Sequence, residues 1–181
     1  MKEEKFNGIT VKRIVVGSLE TNCYLVFSDD EMVVVDPGGD SKKIIDEIKN
    51  SKIVPNIIIN THHHPDHVSA NEKVKDATGA EIFEGLREGY EINLGNNKLK
   101  VMETPGHTKD SISLLGEGFL ISGDVLFSEG HGRTDLPGGS GEEMTKTLNR
   151  LRREIPDEVT IYPGHGEPFK MKEGKKVCFL M

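Results

Sequence analysis

The stretch Ile57-Ile58-Ile59-Asn60-Thr61-His62-His63-His64-Pro65-Asp66-His67 puts four histidines within six residues, directly after an apolar run. Three isoleucines in a row read as a short buried strand. Side chains leaving a strand alternate with period two, so His62 and His64 point one way and His63 the other. Pro65 ends the strand and turns the chain, which brings Asp66 and His67 toward the same place from another side. Neutral imidazoles gathered this closely repel on protonation and gain little from packing. A cation removes that penalty and uses their lone pairs. The stretch therefore reads as metal ligands, His62 and His64 for one ion, Asp66 and His67 for a second. His63 is expected to pack or to brace a neighbour rather than to bind.

Each ion needs further donors. His107 stands in Thr104-Pro105-Gly106-His107-Thr108 and His165 in Pro163-Gly164-His165-Gly166, both in Pro-Gly-His turns. Asp124 follows an apolar strand in Ser122-Gly123-Asp124 and is a carboxylate able to bridge two cations. The set then closes: His62, His64 and His107 hold one ion, Asp66, His67 and His165 the other, and Asp124 joins them with a water. Ions so paired stand ~3.5–4 Å apart in hydrolytic sites. A structural zinc would take four ligands, usually with thiolates, and no open position. Seven nitrogen and oxygen donors in glycine-rich loops suit an open, catalytic site instead. Two divalent ions are expected, zinc first, with iron and manganese also suited to mixed histidine and carboxylate ligation.

Outward from the histidines, the chain repeats one plan. Residues 32–67 run strand, Asp36, loop, helix, strand, histidine cluster; residues 119–165 run strand, Asp124, loop, helix, strand, His165. Ile9–Val16, Cys23–Phe27 and Met32–Val35 read as strands, rich in β-branched and aromatic residues. Ile44, Ile45 and Ile48 keep helical spacing between Asp40 and Asn50. Ser69 with Glu72 and Ser140 with Glu143 fit capping boxes, predicting one helix from Ser69 to about Ala77 and another to about Arg153. Further strands are expected near Glu81–Phe83, Lys98–Glu103, Ile112–Leu115, Phe119–Ile121 and Val159–Tyr162. The segment 170–176 is locally basic and reads as solvated surface. Two such halves predict an α/β (α+β) sandwich, with two mixed sheets inside and helices outside. Ligands then sit beyond the carboxyl ends of strands.

Composition narrows the function. With 181 residues, 23 Lys and Arg against 30 Asp and Glu, the net charge is −7, which disfavours nucleic acid and anionic membranes as partners. The length suits a single domain, residues 1–181. No run approaches the ~18 apolar residues of a membrane span, and the start, Met-Lys-Glu-Glu-Lys-Phe, does not read as an export signal. Cys23 and Cys178 read as reduced thiols, so a cytoplasmic protein is expected.

The string His62-x-His64-x-Asp66-His67, followed in order by His107, Asp124 and His165, resembles the metallo-β-lactamase superfamily, from about Asn22-x-Tyr24 to Pro163-Gly164-His165-Gly166. Asp36-Pro37-Gly38-Gly39 and Gly132-Arg133-Thr134-Asp135 are similar to its hydroxyacylglutathione hydrolase (glyoxalase II) and persulfide dioxygenase branch. The resemblance implies a four-layer αβ/βα sandwich and the same seven ligands. It further implies hydrolysis of a thioester, S-lactoyl-glutathione or another acyl-thiol, by a metal-bridging hydroxide, with Asp66 and Asp124 as the catalytic carboxylates. The chain stops 16 residues after His165, so the helical domain that helps glyoxalase II hold glutathione is not expected here. The alternatives are a non-haem Fe(II) persulfide dioxygenase using His62, His107 and Asp124, and a lactone or β-lactam hydrolase.

Around the ligands, Arg133 could meet a substrate carboxylate, or pair with Asp135. Tyr24 and Tyr162 read as buried strand aromatics, and His131 as loop filler. Asp36 is expected to order loops by accepting N–H bonds, or to hold a ligand histidine.

Overall fold

The computed structural model describes residues 2–177, which group into two compact units. One holds the residues up to 86 with Glu91–Leu99; the other holds Arg87–Tyr90 with the residues from 100 onward. In the first, β1 (Lys2–Phe6), β2 (Ile9–Val16), β3 (Thr21–Ser28) and β4 (Glu31–Val35) form an antiparallel meander. β5 (Ile57–Ile59) and β6 (Glu81–Ile82) extend the same sheet in parallel, in the order β1-β2-β3-β4-β5-β6. α1 (Ser41–Ser51) makes the crossover from β4 to β5, and α2 (Pro65–Val68) and α3 (Asn71–Thr78) lie between β5 and β6. Ile44 and Ile48, one turn apart, are the buried residues of α1, with Ile45 partly buried beside them, while Lys42, Lys43, Asp46, Glu47 and Lys49 fill most of its other positions. With Val74 of α3 they pack on Val16, Cys23, Leu25, Val34 and Ile58 of the sheet. Truncating a fully buried residue of this kind costs ~2–5 kcal/mol. Ile44→Ala should therefore lower the melting temperature by ~5–15 °C, and an unchanged thermal transition would mean that α1 is not seated through this side chain.

The second sheet runs β14-β13-β10-β9-β8-β7. Its strands are β7 (Glu91–Leu94), β8 (Asn97–Glu103), β9 (Ile112–Gly116), β10 (Phe119–Gly123), β13 (Thr160–Pro163) and β14 (Phe169–Lys170). β10 pairs with β13 in parallel and with β9 antiparallel, so this sheet too is mixed. β11 (Leu126–Phe127) and β12 (Gly130–His131) form a small hairpin of their own. α4 (Gly141–Glu154) crosses from β10 to β13, and its N-cap is the one read from the sequence: Glu143 N–H donates to Ser140 Oγ at 3.3 Å. Met144, Leu148 and Leu151 of α4 pack on Leu120, Ile161 and Phe169. The repeated plan is thus a repeated topology. In each unit a carboxylate, Asp36 or Asp124, follows the first strand of a parallel pair, and histidine follows the second, the cluster His62–His67 in one and His165 alone in the other.

Several expectations need correction. Ser69 does not N-cap the following helix: it is the C-cap of α2, its hydroxyl donating back to the Pro65 carbonyl, and α3 starts from Ala70 with no side-chain cap. The segment 170–176 is not merely solvated. Lys170 lies in β14, its ammonium donating to Glu158 O and Thr160 Oγ1 at 2.9 Å each, and Met171 opens α5 (Met171–Val177) fully buried under α4. The short strands β1, β7, β11, β12 and β14 were not legible in the sequence, nor was α5.

Cys23 is a buried free thiol whose pKa burial pushes well above the ordinary value, while Cys178 lies outside the described residues. No helix among the described residues is long and apolar enough to cross a membrane.

Candidate metal centre

In the first unit the site is built from the loop after β4 and the loop after β5. Asp36 leaves β4 in the left-handed region, at φ 51°, which aspartate tolerates better than most residues. Its N–H donates to the Ile59 carbonyl (3.0 Å), which ties the two strand ends together. Its fully buried carboxylate accepts Thr61 N–H at Oδ1 (2.7 Å), and Thr61 Oγ1–H (2.7 Å) and His67 Nδ1–H (2.9 Å) at Oδ2. A carboxylate is stable at such depth because its oxygens are satisfied. Both sequence readings of Asp36 therefore hold, loop order and support of a histidine.

His62 and His64 lie edge to face, ring centroids 4.8 Å apart, and offer ligand atoms within 4.8 Å of each other, on the side expected from alternation, although β5 ends at Ile59 and the loop beyond it places them. His63 is exposed and belongs to none of the candidate ligand groups. Pro65 is the first residue of α2, so the turn it makes is helical and brings His67 back within 4.1 Å of the His62 ring. Asp66 Oδ2 accepts the Thr21 hydroxyl at 3.0 Å and lies 3.5 Å from His67 Nε2.

Gly38 explains the Asp36-Pro37-Gly38-Gly39 turn: a Cβ there would stand 1.5 Å from the Asp66 carbonyl oxygen, while Pro37 O accepts Ala70 N–H at 2.9 Å. Gly38→Ala should cost ~1–3 kcal/mol or more, read from the urea midpoint, and should weaken metal uptake in a zinc titration. Unchanged values for both would mean that the close approach does not seat Asp66.

In the second unit, Gly106 (φ 142°) comes so near α4 that a Cβ would lie 2.5 Å from Met144 Cα. Ser140 N–H donates to Gly106 O (2.8 Å) and Thr147 Oγ1 to Pro105 O (2.6 Å), fixing the turn that carries His107. His107 Nδ1–H donates to the Arg133 carbonyl at 2.7 Å, and its Nε2 lies 3.6 Å from Asp124 Oδ2. The register of β10 on β13 shifts at Gly123, whose carbonyl accepts Gly164 N–H at 2.8 Å. That shift sets Asp124 beside His165, Oδ2 to Nε2 3.5 Å, with the Phe127 ring 6.4 Å from the imidazole.

Three carboxylate-to-imidazole separations, 3.5, 3.6 and 3.5 Å, thus recur. They exceed the ~2.7–2.9 Å of a charge-assisted hydrogen bond. They match the ~3.4 Å that separates two donors each ~2.1 Å from one ion at a tetrahedral angle. The donor chemistry agrees: imidazoles whose Nδ1 is held by a carboxylate or a carbonyl, beside carboxylates, are what zinc, iron and manganese take. Within each unit, the residues present fit divalent-cation ligands.

The surrounding expectations divide. Arg133 pairs with Asp135, as one of its two readings has it: its Nε and Nη2 meet both Asp135 oxygens at 2.9 and 2.8 Å, on exposed side chains, and the pair holds the Asp135 carboxyl down at about 2. What it gives the site is its backbone carbonyl. Tyr24 and Tyr162 are buried strand aromatics, the latter edge-on to Phe119. His131 belongs to β12, its Nδ1–H donating to Gly132 O at 2.7 Å. Thr21 and Thr61 were missed as functional residues; only the position of Thr61 next to a ligand hinted at it.

A family model described as the metallo-beta-lactamase superfamily matches residues 16–95 and 83–165. The probable metallo-hydrolase YqgX of Bacillus subtilis is 30% identical, over 86% of this chain and 89% of its own. The hydroxyacylglutathione hydrolase GloC of Haemophilus influenzae is 27% identical, over 87% of this chain and 91% of its own. Among solved structures, the BLEG-1 B3 metallo-beta-lactamase is similar with a TM-score of 0.88 at 27% identity, over 94% of this chain and 99% of its own.

Proposed function

The chain belongs to the metallo-β-lactamase superfamily and has its αβ/βα sandwich fold, and from that premise we propose that it works as one cytoplasmic metallo-hydrolase domain that cleaves a thioester, S-lactoyl-glutathione or a related acyl-thiol. The observation that carries the metal chemistry is the recurring 3.5–3.6 Å spacing of carboxylate oxygen and imidazole nitrogen. Support for the substrate class comes from the hydroxyacylglutathione hydrolase among the relatives. In this reading His62, His64 and His107 hold one ion, Asp66, His67 and His165 the other, and Asp124 serves both. Two divalent ions bound there would supply a water acidic near neutral pH and Lewis acidity toward the acyl oxygen and the departing sulfur.

The residues do the rest. Asp66, with Oδ2 held by the Thr21 hydroxyl, orients the attacking water and takes up its proton. Asp124 keeps His107 and His165 at matched distances, so that their donor atoms converge on one carboxylate oxygen. The water oxygen bonds to the acyl carbon, the C–S bond breaks with its electron pair on sulfur, and the proton passes to the thiolate. Asp135 occupies the Nε/Nη2 side of Arg133, so a substrate carboxylate would meet this guanidinium at its Nη1/Nη2 end or by displacing Asp135.

The test is protein loaded separately with zinc, manganese and Fe(II). Each form is assayed for thiol release from S-lactoyl-glutathione, O₂ uptake with glutathione persulfide, and β-lactam or lactone opening. Thiol release without O₂ uptake is expected. Iron-dependent O₂ uptake without thiol release would establish the dioxygenase instead, and ring opening alone the lactone or lactam hydrolase.

A further inference from the structure

Thr61 lies between two groups of the candidate centre and is itself no ligand. It is 1% exposed, with Asp36 at 0% and His62 at 1%. Its backbone N–H and its hydroxyl donate to the two oxygens of the Asp36 carboxylate, at 2.7 Å each, so backbone and side chain are both anchored on one group. The same hydroxyl oxygen lies 3.1 Å from His62 Nδ1.

A hydroxyl has one proton to give, and a carboxylate can only accept. The Thr61 proton therefore goes to Asp36 Oδ2, and the bond to His62 must use a proton carried by Nδ1. That fixes His62 as the Nδ1–H tautomer, with its lone pair on Nε2. His67 donates its own Nδ1–H to the same Asp36 oxygen, at 2.9 Å, and so also keeps its lone pair on Nε2.

We infer that Thr61 is a positioning residue that relays the Asp36 charge to His62, so that one buried carboxylate selects the metal-binding nitrogen of two histidines at once. The inference rests on the proposed reading that both histidines bind metal. It goes beyond it by making the two ion positions share one orienting group. A carboxylate behind an imidazole orients the ring and raises its basicity as a ligand, and losing such a partner typically weakens metal binding ~10–100-fold.

Two substitutions isolate the hydroxyl. Thr61→Val keeps the volume and the N–H bond to Asp36 and removes both hydroxyl bonds. Thr61→Ser keeps the hydroxyl. The first readout uses metal-free protein: two-bond ¹H–¹⁵N spectra of the imidazoles report which nitrogen carries the proton, with His62 assigned by its loss in His62→Gln. The second is zinc affinity by chelator competition.

Wild-type protein should show His62 protonated on Nδ1. Thr61→Val should shift it toward Nε2–H and lower zinc affinity ~10–100-fold, and Thr61→Ser should restore both. A wild-type His62 protonated on Nε2 overturns the relay, as does a Thr61→Val protein with unchanged tautomer and affinity. Should Thr61→Val fail to fold, the wild-type spectrum and Thr61→Ser still decide. Wild-type protein that takes up no zinc overturns the hydrolase reading instead, and the spectrum still decides the relay.

Discussion

Asp124→Ala should lower thioester cleavage by ~10³-fold or more and strip the protein of most of its metal. The reason is the placement of one oxygen. Asp124 Oδ2 lies 3.6 Å from His107 Nε2 and 3.5 Å from His165 Nε2, so a single atom serves two imidazoles that come from different loops. Alanine removes that atom and, with it, the negative charge that both histidines face at these distances. Loss of one preorganised group aimed at developing charge already costs ~10²–10³ in kcat. Here the same change also removes a ligand, so the effect should lie at or above the upper end. The fold should survive, because the strand ends around Asp124 are held by backbone, Gly164 N–H to Gly123 O at 2.8 Å. Metal per chain by elemental analysis and thiol release would be read together, with the melting curve as the check on folding. Asp124→Asn keeps the shape and loses the charge, and should fall between. If Asp124→Ala retained full metal occupancy, the bridging assignment would be wrong.

How much of this could be read beforehand depended on which physical signal carried each feature. Strand alternation is a local rule, and carried past the end of β5 at Ile59 it still groups His62 with His64 and leaves His63 out. It did not say what His63 would meet, because that depends on whether anything lies over the loop. Capping boxes are also local, yet two identical-looking patterns diverged. Ser140 caps α4 through Glu143 N–H. Ser69 spends its hydroxyl on Pro65 O, because Pro65 had already started a one-turn helix that needed closing. The basic tail hid α5, since Met171 is its lone large apolar side chain over residues 170–176, and a helix so short leaves no periodicity to detect.

The supports of the site were harder to see than the ligands. Thr61 and Thr21 look like ordinary strand formers, and their roles come from neighbours at Asp36 and Asp66 that are distant in sequence. Arg133 was read through its side chain, but it serves His107 with a carbonyl, which every residue possesses and no composition can flag.

The glycines of the Gly132-Arg133 loop lead to the second large effect. An ideal Cβ on Gly132 would lie 1.8 Å from the Asp124 carbonyl oxygen and 3.0 Å from His107 Nδ1. Gly132 is not among the residues with positive φ, so alanine could adopt its backbone angles and the whole penalty is steric. The atom it strikes is backbone, so no rotamer change relieves the overlap. Either residue 124 shifts, carrying away the carboxylate, or the loop backs off and takes the Arg133 carbonyl from His107 Nδ1, now 2.7 Å away. Both routes disturb a ligand. Gly132→Ala should therefore destabilise the fold by ~1–3 kcal/mol or more, lower zinc uptake, and cut kcat/KM by more than ~10²-fold, about what a misplacement of an ångström costs. Gly130 supplies the control within the same hairpin. A Cβ there meets nothing within 4 Å, so Gly130→Ala should leave stability and zinc uptake near the wild-type values. If the two alanine variants behaved alike in urea and in the zinc titration, the close approach of this loop would not be what holds His107 and Asp124 in place.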